Sequence, residues 1–212
     1  MPFPAMVPFF RAGTDGSFQS LPLKGVKAGT KVKLKYDGDR SMLKGVKAVK
    51  KAAAAAKTLA EATSEDLGKV VGADGKIYAT KADAETVATG NAVAMICYVN
   101  EGHGLALALS DEGDMDWSTA KTTCAAHTPA VTGARWKLAS KSEMSLMINA
   151  AGNYAALRDG FSAVGGTNLI DEYYWLSDES SADYAEHFNF GYGSWSQEFK
   201  SDPYKVRACL EW

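Results

Sequence analysis

At 212 residues and 22.6 kDa, with 46% hydrophobic and 23% charged residues, the chain can build one or two domains around a sizeable core. That composition excludes a fibrous, collagen-like or wholly disordered chain. The net charge of −2 conceals two unlike parts: residues 1–57 hold 12 Lys/Arg against 3 Asp/Glu, whereas residues 58–212 hold 11 against 22. A chain split in this way is expected to have two sections with different jobs.

No stretch approaches the roughly 20 apolar residues that span a bilayer, so no membrane span is expected. The opening MPFPAMVPFF is apolar but carries three prolines and no basic residue before it, which makes a poor signal peptide. Residues 17–36 read as short β-segments. Lys31 to Tyr36 alternates charged and apolar side chains, Asp37-Gly38-Asp39 signals a turn, and Leu43 to Val49 reads as a further strand. So little sheet is not independently secure. These residues are expected to form a small basic β-rich module, 1–57, that attaches the protein to an assembly or makes a homo-oligomer. Its lysines alternate as a solvated strand face does and few aromatics interleave, so no nucleic-acid partner is expected. Lys50 to Ala62 has the highest helix propensity in the chain but no wide apolar face beyond alanine. It reads as a linker or short helix, or else an oligomer-forming helix, with residues 58–65 closing the connector.

From residue 66 the texture changes. Leu67–Val71 and Lys76–Ala79 flank the turn Ala73-Asp74-Gly75 as a hairpin. Ala92 to Val99, a continuous apolar run, predicts a buried strand, and Leu105 to Leu109 a second. Trp117, Ala120 and Cys124 fall on one face of a predicted helix over 117–126. Trp136 to Leu138 is a short extended piece. Ser140 and Glu143 form a capping box that opens a helix running to about Ala151. A Gly-rich loop comes next, and then short β-segments from Tyr173 to Trp212 that hold 11 of the 22 aromatic residues. So many in 40 residues exceeds what a small core needs, so some are expected at the surface.

This order, with the W…A…C helix, Trp136-Lys137-Leu138 and its capped helix, Tyr174-Trp175-Leu176 and the terminal VRACL, resembles the C-type lectin fold. The implied class is α+β, with a C-type lectin-like domain over 66–212. Within it, LRDGFSAVGGTNL, YYWLSDE, YAEHFNFGYGSW and VRACL resemble the variable proteins of diversity-generating retroelements of gut bacteria and their phages. In that family, adenines of template codons are miscopied, so asparagine codons become many others, whereas Trp codons contain no adenine. The resemblance implies a variable region over about 157–212, with Trp175 and Trp195 as fixed posts. Around them Ile170, Asp171, Leu176, Asp178, Asp183 and Tyr184 fit an asparagine-codon origin. So do His187, Tyr192, Ser194, Ser196, Phe199, Ser201, Asp202 and Tyr204. Glu172, Glu186, Gln197 and Glu198 do not, and are either fixed or descended from other codons. The resemblance also implies that Cys124 and Cys209 are neighbours, as the bridged pair of C-type lectins is, with their oxidation set by the compartment.

The residues support a binding surface independently. In Ala185 to Phe190, Phe188 and Phe190 share one strand face, expected in the core, while His187 and Asn189 share the other. With Tyr173 and the positions above, the Tyr, Ser, Gly, Asp and His content matches that of a paratope. Asp111 to Asp116 invites a calcium reading but does not fit an EF-hand loop, and the calcium motifs of sugar-binding C-type lectins are absent, so no metal or cofactor is expected. Asp116 reads instead as a helix cap. His103 lies between two glycines and His127 ends a helix, while Cys97 sits in a buried strand, so no catalytic residue is expected. The reading is a non-enzymatic ligand- or receptor-binding protein of a phage tail or bacterial surface, meeting a protein or glycan receptor on a cell. A non-variable fimbrial or surface adhesin is the close alternative, and an enzyme of the formylglycine-generating type a more distant one.

Overall fold

A computed structural model describes residues 56–212, apart from residue 88, and four strands among residues 1–55. The chain divides into two units, Met1–Ala55 and Ala56–Trp212. In the first, β1 (Phe10–Ala12) pairs antiparallel with β2 (Phe18–Ser20), and β3 (Val32–Tyr36) with β4 (Leu43–Ala48). The period-two alternation of Lys and apolar residues thus does form strands. The Asp37–Asp39 turn and residues 50–55 of the Ala-rich run lie outside the described residues.

The second unit begins earlier than the sequence suggests. Residues 58–65, expected to close a connector, are built into its core: Leu59 and Ala62 are both buried. Leu59–Glu61 is a 3-10 turn rather than part of an α-helix. Its period of three places residues 59 and 62 on one side, so two apolar side chains suffice to dock it. The wholly buried Asp66 anchors a second such turn, Ser64–Asp66. Its carboxylate accepts from the Thr63 N–H at 2.9 Å and pairs with Lys57 at 3.0 Å and Lys69 at 2.7 Å. These partners outweigh its desolvation and hold its pKa far below the usual carboxylate range.

Two sheets carry this unit. The first runs β10-β15-β8-β7-β5-β6, built from β5 (Val70–Gly72), β6 (Ile77–Tyr78), β7 (Ala92–Asn100), β8 (His103–Ala108), β10 (Arg135–Leu138) and β15 (Ala208–Glu211). The second runs β13-β12-β11-β14-β9, from β9 (Gly113–Met115), β11 (Tyr173–Glu179), β12 (Tyr184–Asn189), β13 (Ser194–Phe199) and β14 (Tyr204–Val206). The last strand closes back on the first half of the domain. Trp212 and Gly104 exchange backbone hydrogen bonds of 3.0 and 3.2 Å, and a Cβ at Gly104 would lie 2.1 Å from the Trp212 ring. Only glycine fits there.

Among the described residues, four α-helices flank the sheets: α1 (Lys81–Ala84), α2 (Trp117–Ala125), α3 (Lys141–Ala150) and α4 (Tyr154–Asp159). Asp116 caps α2 by accepting from the Thr119 N–H at 3.0 Å, and Ser140 with Glu143 forms the expected box on α3. Each cap contributes about 1 kcal/mol. The 3-10 turn Phe161–Val164 occupies part of the Gly-rich stretch 160–169 expected to be loop; with helix α4 just before it, it buries Leu157, Phe161 and Val164. The result is the α+β, C-type-lectin-like arrangement that the sequence implies, preceded by a β-rich N-terminal unit.

The first sheet separates two apolar layers. Ile96, Ala106, Ala208 and Leu210 face the layer of Trp117, Cys124, Trp136 and Trp175. Met95, Cys97, Leu107 and Cys209 face that of Met147, Phe161, Tyr174 and Phe188. This alternation corrects the expected pairing of Cys124 with Cys209. One residue of parity turns Cys209 away from α2 into the opposite layer, and all three cysteines are free thiols.

Arg207, 3% exposed, joins the two sheets where β14 passes into β15. Its guanidinium pairs with Asp111 at 2.5 Å, donates to the carbonyls of Ala108 at 2.8 Å and Thr167 at 3.1 Å, and lies 5.0 Å from the Phe161 ring centre.

Candidate binding surface

The outer end of the β12–β13 hairpin is built around Asn189. Its side chain is buried, and its Oδ1 accepts the N–H groups of Gly191 at 2.8 Å and Tyr192 at 2.9 Å. Gly193 has φ of +67°, and a Cβ there would lie 2.4 Å from the Tyr154 ring, so the turn needs glycine. The chain is thereby fixed while the Tyr192 side chain is left 82% exposed. The Ile170–Glu172 segment lies alongside. The Phe190 N–H donates to the Glu172 carbonyl at 3.1 Å, and Arg158 binds the Asp171 carboxylate and the Phe190 carbonyl. The Ile170 N–H donates to the Tyr174 hydroxyl at 3.1 Å, which itself donates to Asp111 at 3.0 Å. Ile170, 44% exposed, and Asp171 therefore stand beside the hairpin tip on a braced segment.

Behind the tip, Tyr173 and Tyr204 form an aromatic box with Trp175 around His187. The His187 ring centre lies 4.6 Å from Tyr173, 5.3 Å from Tyr204 and 5.9 Å from Trp175. Ser194 and Ser196 lie opposite Asn189 and His187 in register and are exposed. At the other end of the hairpin the Tyr184 and Phe199 rings are 4.3 Å apart, with Phe199 47% exposed and Asp183 and Ser201 in solvent. On the opposite face of β13 a groove of about 360 Å³ is lined by Lys141, Glu186, Trp195 and Gln197. Lys141 pairs with Glu186 at 2.9 Å and lies 5.6 Å from the Trp195 ring centre, while Phe188 supports that ring from below at 4.5 Å.

Three of the expected contact residues are corrected. Leu176, His187 and Asn189 are buried. Leu176 lies in the core, and its carbonyl accepts from Trp117 Nε1 at 2.7 Å. His187 does share a strand face with Asn189, but the rings of Tyr173 and Tyr204 roof it over. Asn189 acts as the pin of the turn. Asp178 is half-buried, and its carboxylate accepts the Lys141 N–H at 2.6 Å, at the start of α3. The remaining expected positions, Tyr173, Asp202 and Tyr204 among them, are exposed or half-exposed. Of the posts, Trp175 is buried and donates to the Met115 carbonyl at 3.0 Å, whereas Trp195 is half-buried. Sequence reasoning missed Tyr154, Arg158 and Lys141. The first two lie on α4, whose cap, Asn153 accepting the Ala156 N–H at 2.8 Å, was a readable signal.

The acidic turn is divided among separate tasks. Asp111 pairs with Arg207, Glu112 with His127 at 2.6 Å and Asp114 with Lys205 at 2.8 Å, while Asp116 caps α2.

No family model matches the chain, and no curated protein matches it. Among solved structures it is similar to a fimbrial protein from Bacteroides ovatus ATCC 8483, with a TM-score of 0.51 and 13% sequence identity. The match covers 69% of this chain and 48% of that one, so the chain corresponds to about half of that protein's length. The likeness is one of fold.

Neither ring nitrogen of His187 has a hydrogen-bond partner among the described residues. Burial lowers its pKa, against a smaller opposing pull from Glu198 and Glu186. A histidine held neutral in the fold costs no charge burial above its unfolded pKa of about 6.5, and stability falls as pH drops below that value. His187→Phe removes two unsatisfied nitrogens and the titration together. Thermal unfolding at pH 7.5 and pH 5 is expected to show a variant at least as stable at the higher pH, with a smaller loss of stability on acidification. An equal acid loss in both proteins would contradict the neutral, unpartnered assignment.

Proposed function

We propose that this protein is a non-enzymatic, adhesin-type ligand-binding protein of the bacterial cell surface, contacting a protein or glycan receptor through the outer end of its second sheet. The observation that carries this reading is Tyr192, left 82% exposed on a turn that a buried asparagine holds rigid. A large side chain in water on a fixed backbone loses little entropy on binding, and tyrosine combines contact area with a polar tip. Ile170, Asp171, Tyr173, Ser194, Ser196 and Tyr204 supply the mixed polar and aromatic surroundings typical of binding surfaces. The fimbrial name of the similar Bacteroides protein supports a surface role.

An enzymatic reading of the formylglycine-generating type would need reactive cysteines. Burial instead pushes the Cys97 and Cys124 thiols up to about 12 and raises Cys209 well above its usual range, which disfavours the thiolates.

The finer reading is that the surface is the variable region of a diversity-generating retroelement protein, over about 157–212. It is supported by the exposure of most positions compatible with asparagine codons. A nearby reverse-transcriptase gene and a near-copy of the coding segment, differing mainly at adenines, are expected. Differences spread alike over all four bases would remove this reading.

The coarser reading is tested by binding of the fluorescently labelled full chain to a glycan array and to cultured gut bacterial and epithelial cells. Tyr192→Ala should weaken any binding at least about tenfold, with unfolding unchanged, since nothing packs on the exposed ring. Unchanged binding by the variant would exclude the tip as the anchor.

A further inference from the structure

Every open sheet presents free backbone donors and acceptors along its edges, and proteins protect those edges with short strands, charges, bulges or coverage. Three edges of this unit are protected. β6 is two residues long and is covered by residues 57 and 58, through the Ile77 N–H to the Lys57 carbonyl at 2.8 Å and a bridge from Thr58 to Lys76. β9 is three residues long and carries Asp114. β10 carries Arg135 and Lys137, both paired to Glu211.

β13 is the least protected of the four, its one such device being the charge of Glu198. It is six residues long, Ser-Trp-Ser-Gln-Glu-Phe, and pairs with β12 in unbroken register without a bulge. It contains no proline or basic residue. Apart from the Phe199 carbonyl, which accepts the Asp202 N–H in the adjoining turn, its backbone groups bond only to β12 among the described residues.

We propose that the free edge of β13 is a self-association site, at which two copies pair antiparallel about a two-fold axis through Gln197. The register is set by side-chain parity. In an antiparallel pair, directly opposite residues share a face, so the axis must pass through one residue of the strand. An axis through Glu198 would set two carboxylates face to face. An axis through Ser196 would place Trp195 against the partner's Gln197 and leave Phe199 opposite the partner's Gly193. With the axis at Gln197, half-buried Trp195 lies opposite the partner's Phe199, twice over, and covers aromatic surface now exposed to water. Glu198 then faces the partner's Ser196, and the two Glu198 carboxylates meet only diagonally. The pairing extends the five-stranded sheet to ten strands. Both aromatic faces lie on the same side of it and both Tyr192 tips stay free, so the dimer presents two binding surfaces in parallel.

Cross-linking of the full chain tests the register. Cα atoms of directly opposite residues lie about 4.5 or 5.5 Å apart, within disulfide range, whereas diagonal positions fall outside it. Gln197→Cys should therefore give a disulfide-linked dimer under mild oxidation, at least about tenfold faster than the equally exposed Ser196→Cys. The three native cysteines are buried, so their contribution to the background is small. In sedimentation velocity the native chain should shift from monomer to dimer with concentration. Gln197→Lys and Gln197→Glu should each be monomeric, and a 1:1 mixture of them should recover the dimer. Equal cross-linking of the two cysteine variants, a native chain that stays monomeric up to about 500 μM, well into the range of weak association, or a dimer that persists in Gln197→Lys would each overturn the proposal.

Discussion

The arrangement of the second unit depends on one buried charge. Arg207 sits at the junction of the two sheets, and a guanidinium taken out of water at 3% exposure must be fully partnered or it unfolds what surrounds it. Asp111, the Ala108 and Thr167 carbonyls and the Phe161 ring meet that demand together. Asp111 in turn accepts from Tyr174, whose hydroxyl receives the Ile170 N–H. A chain of polar contacts thus runs from the core of the first sheet to the segment that carries Ile170 and Asp171. Such a pair is weak evidence for stability, but it specifies geometry: the loop that sets the edge of the binding surface has few other places to go.

The surface itself combines rigid support with local strain. At the tip, Asn189 satisfies two backbone donors that a tight turn would otherwise leave to water, and Tyr154 fills the space beside Gly193. Behind the tip, His187 does the opposite. It fills an aromatic box without a partner for either nitrogen among the described residues, which costs stability. The scaffold can carry such a cost because its stability lies elsewhere, in the two apolar layers.

Much of the frame was legible because it rests on local signals. The apolar run 92–99, the capping box at Ser140 and Glu143 and the 117, 120, 124 face are each decided within a few residues of chain. The features that were not legible depend on which elements meet. The face of Cys209 turns on one residue of strand parity, which no local pattern fixes. His187 and Asn189 alternate correctly with Phe188 and Phe190, but alternation cannot distinguish a solvent face from one covered by Tyr173 and Tyr204, rings from β11 and β14. Of the surface, the exposed Tyr192, Ser194, Ser196 and Phe199 were readable as composition. Their fixed setting was not, because it comes from Asn189, Tyr154 and Arg158, which themselves make no display.

Tyr192 stands on a preset turn rather than a loose loop. Amide hydrogen exchange of the Gly191 and Tyr192 N–H groups tests it directly and needs no ligand. Both donate to a buried oxygen, so both should exchange about 100-fold slower or more than in an unstructured peptide, despite lying at a surface turn. Exchange of both at free-peptide rates would contradict the account.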